Sequence, residues 1–82
     1  MKELTIKYEM TFSCDEYLLE KINYEWADAV KENEGETEKE IFKTALAWAL
    51  DEFFNISMDE IEIILTQSDK IYKWWKENQK NV

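Results

Sequence analysis

The stretch LTIKYEMTF, Leu4 to Phe12, alternates apolar and polar residues with a period of two. That period sends successive side chains to opposite faces of an extended chain, so the segment is predicted to be a half-buried β-strand. Its apolar side carries Leu4, Ile6, Tyr8, Met10 and Phe12, and its polar side Glu3, Thr5, Lys7, Glu9 and Thr11. From Ser13 onward the spacing changes. Apolar residues then recur every three or four positions, the mark of an amphipathic helix. One strand ahead of a helical body is the frame.

Three Ser or Thr residues, each followed three positions later by Glu, punctuate that body: Ser13–Glu16, Thr37–Glu40 and Ser57–Glu60. In such a capping box the hydroxyl accepts the amide proton of the third helical residue, and the carboxylate reaches back to the cap. Three boxes predict three helices. Helix one, about 14–33, aligns Leu18, Leu19, Ile22, Trp26, Ala29 and Val30 on one face, and Gly35 supplies its stop. Helix two, about 38–54, buries Ile41, Phe42, Ala45, Leu46, Ala49, Leu50 and Phe53. Helix three, about 58–78, aligns Ile61, Ile64, Leu65, Ile71, Tyr72 and Trp75. The Ile-rich piece IEIILT within it also suits a strand, but the cap and the continued period favour helix. The fold class is mainly α, in the order β-α-α-α.

The chain has 82 residues, no proline, one glycine and no repeat or low-complexity tract, so residues 1–82 read as a single domain. Four Trp, four Tyr and four Phe give it material for a core. Its lone cysteine, Cys14, has no partner for an internal disulfide, and there is no histidine. No apolar run approaches the roughly 20 residues of a membrane span. These features point to a cytoplasmic protein with no membrane association, metal or cofactor. They also argue against an enzyme: no imidazole base, no glycine-rich phosphate loop and no paired nucleophile are present. Cys14, at the start of helix one, is open to thiolate stabilisation by the helix dipole, although a tolerated small residue is the simpler reading.

An alternating strand followed by two helices resembles the ribbon-helix-helix family of DNA-binding dimers (the Arc, MetJ and CopG type). The match runs over residues 3–54 and is best in GETEKEIFKTALAWALDEF, Gly35 to Phe53: a glycine, a hydroxyl cap, Glu, an aliphatic residue, then Ala and Leu at helical spacing. The resemblance implies a ribbon-helix-helix-like core, in which two copies pair their strands and lay the ribbon in a DNA groove. Thr5, Lys7, Glu9 and Thr11 would then be the base readers, and Thr37 would hold a phosphate.

Charge points elsewhere. The formal net charge is −9 with no arginine, and the excess is local. Residues 13–40 hold ten acids against three lysines, whereas residues 63–82 hold four lysines against two acids. Duplex binding depends on cations that neutralise phosphates, and this acidic body would repel them. On the solvent side of helix one, Tyr17 and Tyr24 stand among Glu16, Glu20, Asp28 and Glu32. Rings supply contact area and carboxylates steer a basic partner. Glu34, Glu36, Glu38 and Glu40 then continue as an acidic row that imitates phosphates or serves as a solvated surface. In the tail, KIYKWWKENQK, Tyr72 and Trp75 fall on the core stripe, while Trp74 and Ile63 fall opposite and are candidates for an exposed apolar patch.

The sequence therefore favours a small acidic protein, homodimeric through its strand, that binds a basic protein surface and blocks it. A phage-encoded inhibitor of the anti-CRISPR or anti-restriction kind, acting as a nucleic-acid mimic, is its sharpest form. A DNA-binding regulator is the alternative, and an antitoxin-like or structural module using Tyr17, Tyr24 and Trp74 a third.

Overall fold

A computed structural model describes residues 1–79. Two strands, β1 (Leu4–Lys7) and β2 (Thr11–Cys14), precede four helices: α1 (Glu16–Glu32), α2 (Glu38–Phe54), α3 (Met58–Leu65) and α4 (Ser68–Asn78). The expected mainly helical fold behind an N-terminal β element is present, with two refinements.

The alternating stretch is a hairpin, not one long strand. β1 and β2 pair antiparallel in the register Leu4↔Cys14, Thr5↔Ser13, Ile6↔Phe12 and Lys7↔Thr11. A lone nine-residue strand leaves both ladders of N–H and C=O groups open, and folding back satisfies one of them. The three-residue loop Tyr8–Met10 keeps the parity: Ile6 and Phe12 both face inward, while Met10 stands 58 % exposed at the tip. The expectation of a homodimer rested on an unpaired strand; here β2 is the partner. The outer side of β1 is also engaged, since Trp74 Nε1 donates to the Lys2 carbonyl (2.7 Å) and Gln67 Nε2 to the Lys7 carbonyl (3.1 Å).

Ser13 does not cap α1. It remains in β2 opposite Thr5, and Asp15 becomes the N-cap, its carboxylate accepting from the Leu18 amide at 3.2 Å. The other two boxes cap as expected, the Thr37 and Ser57 hydroxyls accepting from the Glu40 and Glu60 amides at 3.3 Å each. Helix α2 stops at Asn55, whose φ of 52° lies in the left-handed region, and Gly35 turns the α1–α2 connection at φ 87°. Both residue types enter that region at modest cost.

Helix three is two helices. At the break the Thr66 hydroxyl donates to the Ile63 carbonyl at 2.6 Å, and the Thr66 amide spreads over several carbonyls. Gln67 leaves helical geometry and sends its side chain to β1. A hydroxyl that competes for the backbone in this way favours a helix end. The interruption resets the helical phase, so α4 buries Ile71, Trp74, Trp75 and Asn78. Trp74, expected on the exposed side, is therefore core at 5 % exposure, while Tyr72 is only half-buried.

The core joins Ile6, Phe12 and Cys14 of the hairpin to Leu18, Leu19, Ile22 and Ala29 of α1 and to Phe42, Ala45, Leu46, Ala49 and Leu50 of α2. Ile61 and Ile64 of α3 and Ile71 of α4 close it. Each large apolar side chain so buried contributes roughly 1.5–3 kcal/mol relative to exposure. Val30, expected inside, is 38 % exposed, and Phe53 and Ile41 are half-buried at the margin. Trp26 stacks on Trp75 with centroids 4.8 Å apart, and Trp75 Nε1 donates to Asn23 Oδ1 at 2.9 Å. Cys14 is fully buried in β2, not at a helix start, and burial pushes its thiol up to about 12. That rules out the activated thiolate.

Candidate functional site: an acidic aromatic face on α1 and α2

Helices α1 and α2 run antiparallel with their small residues between them, Ala29 on one side and Ala45 and Ala49 on the other. This close approach leaves larger residues along one edge of the pair. Tyr17 is 46 % exposed and Tyr24 71 %, yet neither ring is loose. Tyr17 meets Phe54 edge-on at 5.4 Å, and Tyr24 meets Phe53 at 5.7 Å. Lys21, one helical turn from each tyrosine, places its Nζ 5.0 Å from the Tyr17 ring centroid and 4.6 Å from that of Phe53. A cation over ring faces and two edge-to-face pairs hold the strip in place.

Carboxylates surround it. Glu16, Glu20, Asp28 and Glu32 are exposed, as the helical period required, and none lies in an ion pair among the described residues. Beside them Glu25 is 4 % exposed, with Oε1 lacking any hydrogen-bond partner. It occupies the α1 seam with Leu18, Ile22 and Ala29 and faces Glu52 of α2. Burial, then the hydrogen bond and charge of Glu52, then the charge of Asp28, push its carboxyl up to about 7. A neighbouring carboxylate makes the charged form of Glu25 costlier still in a partly dry seam.

The acidic row that continues past α1 is less free. Glu34 and Glu36 are exposed on the connection. Glu38 accepts from the Tyr72 hydroxyl at 2.6 Å and from Lys76 at 2.9 Å, which hold its carboxyl below the usual range and tie α2 to α4. Glu40 lies 3.8 Å from Lys43, and Lys39 pairs with Asp69 at 3.0 Å. Within the row, then, Glu38 and Glu40 are paired with lysines, whereas Glu34 and Glu36 lie in no ion pair among the described residues. Of the strand residues, Thr5, Lys7 and Thr11 share the outward hairpin face with Ser13, while Glu9 sits in the loop apart from them. Ile63 is 43 % exposed on α3, but Trp74 is buried and does not join it in a patch. Lys80 lies outside the described residues.

Phe54, Lys21 and Glu25 are members of this face that the helical wheel left unassigned, and Phe53, expected in the core, joins them half-buried beneath Tyr24 and Lys21. For Glu25 a signal existed: the spacing 18, 22, 25, 29 places it within the core stripe. Comparison with protein-family models, with curated proteins and with solved structures found no match to this chain.

Proposed function

We propose that this protein is a non-catalytic binding domain whose α1–α2 edge docks on a basic protein surface. The observation that carries the reading is the strip Tyr17–Lys21–Tyr24, exposed to solvent yet fixed on Phe54 and Phe53, amid Glu16, Glu20, Asp28 and Glu32. Pre-fixed aromatic rings lose little entropy on contact, and unpaired carboxylates around them speed encounter with a cationic partner. A surface that otherwise holds nucleic acid has this charge, so the specific form is an inhibitor that occupies such a surface and excludes its ligand. A phage-encoded blocker of a nucleic-acid-processing enzyme is one setting for that role.

The test is a pull-down from host lysate with the tagged chain, at two salt concentrations and after nuclease treatment. Capture of a nucleic-acid-binding protein, weakened by salt and untouched by nuclease, is expected. Tyr17→Ala with Tyr24→Ala, or Glu20→Lys with Asp28→Lys, should each abolish it. Recovery of specific DNA that is lost on nuclease treatment and on Lys7→Ala would instead favour groove reading by the hairpin.

A further inference from the structure

Lysine placement away from this strip carries a separate conclusion. Of the six described lysines in no ion pair, Lys2, Lys70 and Lys73 line one cleft between the chain entering β1 and helix α4. Its volume is about 510 Å³. Leu4 and Trp74 supply apolar wall, and Asn78 also lines it.

Three hydrogen bonds fix the two sides of this cleft. Trp74 Nε1 donates to the Lys2 carbonyl at 2.7 Å, the Lys2 amide donates to Asn78 Oδ1 at 3.3 Å, and Asn78 Nδ2 donates to the Trp74 carbonyl at 2.7 Å. Asn78 and Trp74 are 4 % and 5 % exposed. The closed circuit spends buried polar groups on holding residues 2–4 against α4, so the cleft exists before any ligand arrives.

We infer that this cleft is a binding site for a small amphipathic carboxylate, its apolar body against Leu4 and Trp74 and its carboxylate among Lys2, Lys70 and Lys73. Size selects a small molecule: the volume lies within the roughly 300–1,000 Å³ of ligand pockets, whereas protein partners meet flatter surfaces. Charge selects an anion. Three cations face Glu3 and Glu77 here, a positive excess in a chain that is otherwise strongly negative. Lysine stems add apolar lining beside their charge, so a purely ionic ligand would leave much of the lining unused. The inference does not rest on the α1–α2 reading and survives its failure.

The probes are octanoate, octanol and octylammonium, which share a tail and differ in charge. Each is titrated into the whole chain by two-dimensional NMR, read at the Trp74 indole N–H and the amides of residues 2–4. Octanoate should shift these signals saturably, with octanol at least tenfold weaker and octylammonium absent from the cleft. Lys70→Gln with Lys73→Gln should weaken octanoate about tenfold, while Glu77→Lys should strengthen it several-fold. The gain-of-affinity variant keeps the test decisive if the double substitution harms folding. Equal response to octanoate and octanol, indifference to both sets of substitutions, or no saturable shift would each overturn the assignment.

Discussion

Replacing Glu25 by Gln isolates a buried carboxyl whose Oε1 has no hydrogen-bond partner. In the folded chain its carboxyl is raised from 4.5 to about 7, chiefly by burial and then by Glu52. A raised acid means that the folded state binds more protons than the unfolded state between these two values, so stability falls as pH rises through that window. The full shift converts to about 3 kcal/mol at 1.36 kcal/mol per unit. Because the neighbouring Glu52 is exposed and solvent screens part of that interaction, about 2 kcal/mol is the working figure. For a domain of this size that corresponds to roughly 10 °C in Tm between pH 5 and pH 8. Gln has the same shape, does not titrate, and donates an N–H to Glu52. Thermal melts followed by circular dichroism should therefore show Glu25→Gln close to wild type at pH 5 and clearly more stable at pH 8. General repulsion among the other acids acts on both proteins and cancels in the difference. If the two melting curves keep a constant offset across the range, Glu25 is not the titrating group and the seam argument fails.

Two further outcomes follow from the clasp and the core. Asn78→Ala leaves the Lys2 amide without its acceptor and should cost about 1–2 kcal/mol, with faster hydrogen exchange confined to residues 2–7 and α4; uniform acceleration throughout the chain would show that the clasp is not a local device. Cys14 should resist a thiol reagent at pH 8 in the native protein and react at once in denaturant, because its sulfur is fully buried; rapid native labelling would contradict its placement in β2.

The helices were legible because capping chemistry and period agree over long segments. Thr37 and Ser57 cap as their sequence context requires, and the stripes of α1 and α2 are buried largely as read. The hairpin was hidden because its loop, Tyr8–Glu9–Met10, contains no Gly, Asn or Pro, and parity through three residues leaves the alternation unbroken. The Ser13 box misled because Ser13 is held in β2 opposite Thr5 and Asp15, two residues on, caps the helix through the Leu18 amide instead. Trp74 was misplaced since a wheel drawn through residues 58–78 carries one phase across a break that Thr66 and Gln67 create through hydrogen bonds. The outer tyrosines of the candidate face were readable from period alone. Their aromatic underlay was not, because Phe53 and Phe54 meet them only through the antiparallel pairing of α1 with α2.

The hydrogen bonds joining the hairpin to α3 and α4 span very long stretches of chain. Lys2 meets Trp74 and Asn78, Lys7 meets Gln67, and Tyr8 donates to Glu60 at 3.1 Å. The α1–α2 pair needs only the short connection through Gly35. Closing the distant contacts costs more loop entropy, and elements that close last tend to open first. The clasp is therefore expected to open at a lower free energy than the α1–α2 pair. When the clasp releases, the lysine cleft loses one wall and ceases to exist, while the tyrosine strip, anchored within α1 and α2, stays assembled. A protein stressed by heat or denaturant would lose its anion site before its acidic face, so each can be silenced without touching a residue of the other.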